Sequence, residues 1–203
     1  MPFPIRVPRL RRLVCLAAGA MLLGCLAPAV AGACTLSSAP SSQVFAKYGD
    51  TNEYQLAPNG IFAGANTSGW SLLKAAVSPF GAGLVSGDGH SVVIGSGGKL
   101  TTPSMCVGTT TPTLRFMVRE QGVSGGVLYA YVLWQDWAGN LYDTYLGWTG
   151  GSSSWTPSVP VNVSALPLWQ AGSTLPIRLE LIPGGHSGAW AVDDFFLDPY
   201  SRG

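Results

Sequence analysis

The chain has 203 residues, with 11 basic and 10 acidic side chains and only 10% charged residues overall. Beyond its N-terminal segment no cluster of Lys and Arg occurs, which excludes a phosphate-neutralising surface of the nucleic-acid-binding kind. The 27 Gly and 15 Pro are spread throughout, so long helices find no support and short strands joined by many turns are expected.

The first residues carry Arg6, Arg9, Arg11 and Arg12 and no acidic group. An apolar run from Leu13 to Ala27 follows, then the small-residue sites Ala29-Val30-Ala31 and Ala31-Gly32-Ala33. This three-part layout predicts a cleaved secretory signal peptide over 1–33 and a secreted, extracellular protein. The run is too short and too rich in small residues for a spanning helix, so no membrane span is expected in the mature form. Leu22-Leu23-Gly24-Cys25 resembles a lipobox, which leaves lipidation of Cys25 as the alternative, and Arg11-Arg12 matches twin-arginine export poorly. Loss of the four leader arginines leaves seven basic against ten acidic residues, a net charge of about −3. Cys34 and Cys106 then remain as an even pair in an oxidising compartment and are expected to form a disulfide. That bridge would tether an N-terminal extension, 34–57, to a β-sandwich domain over 58–200.

Along that domain, only Ser71 to Val77 keeps a 3.6-residue period, and its element type stays open. Ser91 to Ile94 and Lys99 to Thr102 read as neighbouring strands joined through a turn at Gly95-Ser96-Gly97-Gly98. Leu114, Phe116 and Val118 alternate with Thr113, Arg115, Met117 and Arg119, predicting one core face and one solvated face. In Val127 to Trp137, Leu128, Ala130, Val132 and Trp134 form the expected core face, which leaves Tyr129 and Tyr131 side by side on the other. Ala138-Gly139-Asn140 signals a hairpin leading to Tyr142, Tyr145 and Trp148. Leu175, Ile177, Leu179 and Leu181 alternate with Arg178 and Glu180, which are expected to face water. The last strand, Gly188 to Tyr200, places Asp193-Asp194 inside an apolar run. Trp190 and Val192 share one parity, Phe195 and Leu197 the other. Burying all four requires a β-bulge at Asp193-Asp194, unless both faces are buried and Phe196 lies inside too. Trp70, Trp155 and Trp190 are read as core.

Catalytic constellations are weak. Gly185-His186-Ser187-Gly188 mimics a nucleophile elbow, but a strand follows it and no later histidine exists. Asp193 and Asp194 are adjacent strand residues and point to opposite faces, so they cannot flank one bond. Asp88 and His90 sit in a Gly-rich turn. Two thiols and two histidines do not support a zinc site.

The segment Asn59-Gly60-Ile61-Phe62-x-Gly64…Gly69-Trp70, paired with a terminal Trp190-x-Val192-Asp193-Asp194-Phe195, resembles the galactose-binding-like jelly rolls, including carbohydrate-binding modules of families four, nine and twenty-two. From Phe45 to Tyr200 the layout is similar to secreted single-domain bacterial proteins of unknown function. The resemblance implies an all-β antiparallel jelly-roll sandwich whose first and last strands meet. It also implies a structural calcium ligated by an Asp of the last strand, here Asp193. The family's Glu after the Phe of the first motif is Ala63 in this chain, so backbone carbonyls would have to contribute. The competing reading has Asp193 capping backbone N–H groups.

Non-catalytic binding of carbohydrate or a cell-surface glycan is the expected activity, with no other cofactor and no enzymatic function. Aromatic faces stack on the apolar faces of pyranose rings, and this designates Tyr129, Tyr131, Trp137 and Tyr142, with Asp136, Gln135 and Asn140 as polar partners near the turn. Against this stands the ordinary role of aromatic pairs in stabilising sheets. The alternatives are a structural or adhesive protein of the cell envelope and, third, a glycan-active hydrolase or lyase.

Overall fold

The computed structural model describes residues 34–85, 89–109, 111, 113–122, 125–136, 138–163, 166, 174–185 and 188–198. These form twelve strands: β1 (Ser41–Ser42), β2 (Tyr54–Leu56), β3 (Ser71–Ser78), β4 (Ser91–Thr101), β5 (Met105–Gly108), β6 (Thr113–Gln121), β7 (Val127–Gln135), β8 (Leu141–Gly150), β9 (Thr156–Pro157), β10 (Val161–Asn162), β11 (Thr174–Pro183) and β12 (Ala189–Asp198). All pairings are antiparallel. The expected jelly-roll sandwich is the architecture found: one continuous sheet folded over itself into two layers.

β4 makes the fold-over. Its first half pairs with β12 (Ile94 with Trp190), and its second half pairs with β11 (Leu100 with Leu181). The expected glycine turn is therefore a corner within one long strand and not a hairpin. β3 follows β4 around this corner, with a register shift between Leu73 and Ala75 and Lys74 at φ +47°. Ser71 to Val77 is thereby strand, because pairing to β4 overrides its local period. Gly98 is needed where the two chains touch: a Cβ there would sit 2.7 Å from the carbonyl oxygens of Leu73 and Lys74.

One layer holds β6 and β12 with β2, β9, β10 and the first half of β4; the other runs from the second half of β4 and β5 through β11 and β7 to β8 at its edge. Their facing sides bury the alternating apolar residues read from sequence, among them Leu114, Phe116, Val118, Leu128, Ala130, Val132, Leu175, Ile177, Leu179 and Leu181. Trp70 and Trp190 lie in the same core. Trp134 is half-buried at its margin, where β7 leaves the sandwich.

The phase break in the last strand is a bulge, as expected. The pairing of β12 with β6 shifts between Asp193 and Phe196, and Asp194 sits at φ +49°. Trp190, Val192, Phe195 and Leu197 all reach the main core, while Phe196 joins a second cluster on the outer side. The first and last motifs also meet: Phe195 N–H donates to Gly60 O (3.0 Å) and Ala57 N–H to Phe195 O (2.9 Å). Phe195 contacts the rings of Phe62, Trp70 and Phe116. Gly60 permits this joint, since a Cβ there would lie 2.7 Å from Phe195 O.

The outer face of β6 departs from expectation. Met117 is fully buried, and Arg115 and Arg119 are half-buried. The segment around Phe45 and Tyr54 covers this face, forming a second core with Met117 and Phe196, and Trp155 packs at its margin. Arg115 pairs with Asp50 and lies over the Phe45 ring. Tyr54 Oη donates to Asp50 (2.6 Å). Burial, then the bond to Asp50, pushes the Tyr54 phenol above its ordinary pKa. Cys34 and Cys106 are bonded, joining the start of this segment to β5.

Candidate functional site

On β7, Tyr129 and Tyr131 project from the outer side, half-buried against β8. The register sets Tyr129 opposite Trp148 and Tyr131 opposite Tyr145. Tyr145 and Trp148 are three residues apart, so a regular strand would send them to opposite faces. A bulge resolves this. The pairing shifts between Ala130 and Tyr131, leaving Leu146 extra, and Gly147 takes φ +141°. Both rings then share the face of the two tyrosines. Tyr145 contacts Tyr129 (6.1 Å) and Tyr131 (5.4 Å). Tyr145 stays 50% and Trp148 55% exposed, so their faces are open to a ligand.

The next strand inward adds a carboxylate. Glu180 of β11 pairs with Tyr131 on one side and Thr101 on the other. Expected in water, it is 5% exposed, set between β4 and β7 and paired with Lys99. Its Oε2 accepts from Thr101 Oγ1 (3.1 Å) and pairs with Lys99 Nζ (2.9 Å). No partner engages Oε1 among the described residues. Glu180, Tyr145 and Trp148 are the functional candidates that the expected site set lacked. Alternation places Glu180 on an outer face, but only the register brings it beside Tyr131.

The remaining expected site residues separate. Tyr142 lies opposite Trp134, so it belongs to the inward parity, and the two rings stack at 4.5 Å with planes 17° apart. Asp136 works as a hairpin clasp. Its Oδ1 accepts the N–H groups of Ala138 (2.9 Å) and Asn140 (2.8 Å), and its Oδ2 accepts from Asn140 Nδ2 (2.8 Å) and Tyr142 Oη (3.0 Å). Gln135 Nε2 donates to Gly139 O (2.8 Å). Trp137, Asp88, His186 and Ser187 lie outside the described residues.

The bond from the Asn140 side chain, first among several, holds the Asp136 carboxyl below its ordinary pKa, and the Asp136 carboxylate holds the Tyr142 phenol above its own. A depressed carboxyl contributes stability above its unfolded value, near 3.9, and loses it as pH falls through the folded value. The clasp should therefore hold across neutral pH and open only in acid. Tyr142 reports it at the other end of the scale. In a spectrophotometric titration its phenol should ionise above the ordinary tyrosine range, near 10, and return to it in Asp136→Asn. An unchanged titration in that variant would remove the clasp.

Asp193 meets amide donors. Its Oδ2 accepts from Ala82 N–H (2.8 Å) and its Oδ1 from Asp194 N–H (2.8 Å), while Asp194 Oδ2 accepts from Leu84 N–H (3.2 Å). Each Asp193 oxygen thus meets one backbone N–H. Among the described residues no three Asp, Glu, His or Cys side chains converge, and position 63 is alanine. Both Asp193 oxygens thus accept backbone amides, the capping arrangement of the competing reading.

An open cavity of about 480 Å³ lies at the hairpin end of β7, β8 and β11. Leu133, Asp143 and Arg178 line it from outer-face positions one rung beyond Tyr131 and Tyr145, with Leu141 and Pro176 further along, and the expected site residue Tyr142 lines it too, with Trp134 and Ile177.

No protein-family pattern and no curated protein sequence matches the chain. Solved structures do. The tandem CBM22-1–CBM22-2 domain of Paenibacillus barcinonensis Xyn10C superposes with a TM-score of 0.53 at 14% identity, over 82% of this chain and 48% of the tandem. The single CBM22-1 domain of that protein gives 0.45 at 15% identity, over 66% and 86% of the two chains. The enzymatically active domain of tailspike protein 4 from bacteriophage CBA120 gives 0.48 at 15% identity, over 70% of this chain but only 21% of that one. The chain thus spans about a fifth of the tailspike and half of the tandem. At such identities the likeness is one of fold: this chain has the jelly roll of the carbohydrate-binding modules.

Proposed function

We propose that the protein is a secreted, non-catalytic carbohydrate-binding protein whose ligand lies on the outer face of β8, β7 and β11. One observation carries this reading: Trp148, Tyr129, Tyr145 and Tyr131 form two adjacent aromatic rungs on a single sheet face, beside the Glu180–Lys99 pair. Cross-strand aromatic pairs stabilise a sheet, but Tyr145 and Trp148 keep half of their surface in water, and an exposed apolar patch on a monomer marks an interaction site. These rings supply rigid stacking area, and Glu180 Oε1 supplies a hydroxyl acceptor while Lys99 and Thr101 hold its other oxygen in place. From Tyr129 to Gln135 the strand runs about 20 Å, the length of a short oligosaccharide. The fold shared with carbohydrate-binding modules supports the same reading.

Affinity electrophoresis against a panel of neutral and acidic polysaccharides, with and without chelator, tests it. Binding should be unaffected by the chelator. Tyr145→Ala and Trp148→Ala should each weaken it tenfold or more, as expected for anchoring aromatics, with circular dichroism unchanged because neither ring is in the core. Absence of binding to every glycan rejects the reading. The edge position of β8 and its exposed Leu141 also suit an adhesive contact with another protein; concentration-dependent association by light scattering, without glycan binding, would favour that role.

A further inference from the structure

The glycan-binding face leaves a cation unspent. Arg178 lies two residues before Glu180 on β11 and shares its outward parity, so the two side chains are about 7 Å apart along the strand. They would be a natural ion pair, but Lys99 already neutralises Glu180 from the far side at 2.9 Å. Arg178 is exposed and makes no ion pair or side-chain hydrogen bond among the described residues. Asp143, the next carboxylate on its rung, stands beyond Leu133, two strands and about 10 Å away. The guanidinium therefore lines the cavity uncompensated.

Its surroundings are suited to an anion. Leu133, Leu141 and Pro176 give the cavity apolar walls, which lower the local dielectric and strengthen a charge pair relative to open water. Ser104 adds a hydroxyl. A guanidinium is a planar fork of donors matched to the two oxygens of a carboxylate. Asp143 repels an anion at the opposite wall, so the charge would sit on the β11 side. The cavity lies one rung past the Tyr131–Tyr145 pair, where the next part of a chain stacked on those rings would arrive.

We propose that the glycan taken by this face is acidic, with a uronic acid carboxylate seated on Arg178. This rests on the carbohydrate reading of the face. The test is calorimetric titration with matched linear oligosaccharides that share a backbone and differ only in uronic acid content, with a sulfated glycan as a third arm. The acidic ligand should bind at least tenfold tighter than the neutral one at low salt. That ratio should shrink as ionic strength rises. Arg178→Gln should bring the ratio close to one, and Arg178→Lys should restore part of it. Equal binding of neutral and acidic ligands by the wild type, or an unchanged ratio in Arg178→Gln, overturns the acidic assignment while leaving the face a glycan site. A preference for the sulfated arm alone overturns the carboxylate. Binding of none of the three rejects the glycan reading itself, and this assignment with it.

Discussion

Replacing Asp193 with alanine should destabilise the protein by about 4 kcal/mol. The carboxylate is fully buried and holds the N–H groups of Ala82 and Asp194. Alanine would leave both donors unmatched away from water, at about 1–3 kcal/mol each. The loss would also spread. Asp193 opens the bulge that returns Phe195 and Leu197 to the core, and its bond to Ala82, with that of Asp194 to Leu84, pins the loop following β3 over the second cluster. Asp193→Asn keeps the shape and one acceptor, so it should fall between wild type and alanine. Urea unfolding followed by tryptophan fluorescence measures both variants. A loss below about 1 kcal/mol for alanine would mean that the loop finds other acceptors, and the capping role would be withdrawn.

The double variant Cys34→Ser, Cys106→Ser should cost about 4 kcal/mol as well, from the unfolded side. The bridge spans a sequence separation of 72, and closing a loop of that size restricts the denatured chain by about that amount in the chain-entropy model. Other contacts hold both ends of the bridge: Thr174 Oγ1 donates to Cys34 O at 3.0 Å, and the strand carrying Cys106 pairs with β11. The folded structure should therefore survive, with its near-ultraviolet circular dichroism retained and its urea midpoint lowered. Loss of the folded signal in the absence of denaturant would show instead that the bridge is needed to seat the segment carrying Phe45 and Tyr54 on β6 and β12. Single-cysteine variants would add exposed thiols, so the double serine is the clean comparison.

How much of this was legible depends on the range of each interaction. The bulge at Asp193 was visible because four apolar residues fall out of phase within eight positions, a conflict contained in one strand. The joint of Gly60 with Phe195 follows from the family likeness and not from periodicity. Gly139 marks the hairpin in the sequence, and only the structure shows that the turn engages both oxygens of Asp136. Tyr142 takes the parity opposite to Tyr129 and Tyr131 through its pairing with Trp134, a register that no local pattern shows. Alternation alone puts Glu180 in water, and nothing local shows that Lys99, 81 positions earlier, pairs with it.

The two-layer sandwich came from the family likeness, while by itself the sequence settled the strand content, the inward residues of β6, β7 and β11, and the break in β12. Each is written in a period of two that a strand obeys wherever it lies. Only the tertiary structure decided which outer faces stay open. The N-terminal segment covers Met117 on one layer, whereas the bulge at Leu146–Gly147 turns Tyr145 and Trp148 outward on the other. Those outcomes depend on which distant strand sits opposite and in what register, and a shift of one residue reverses every face.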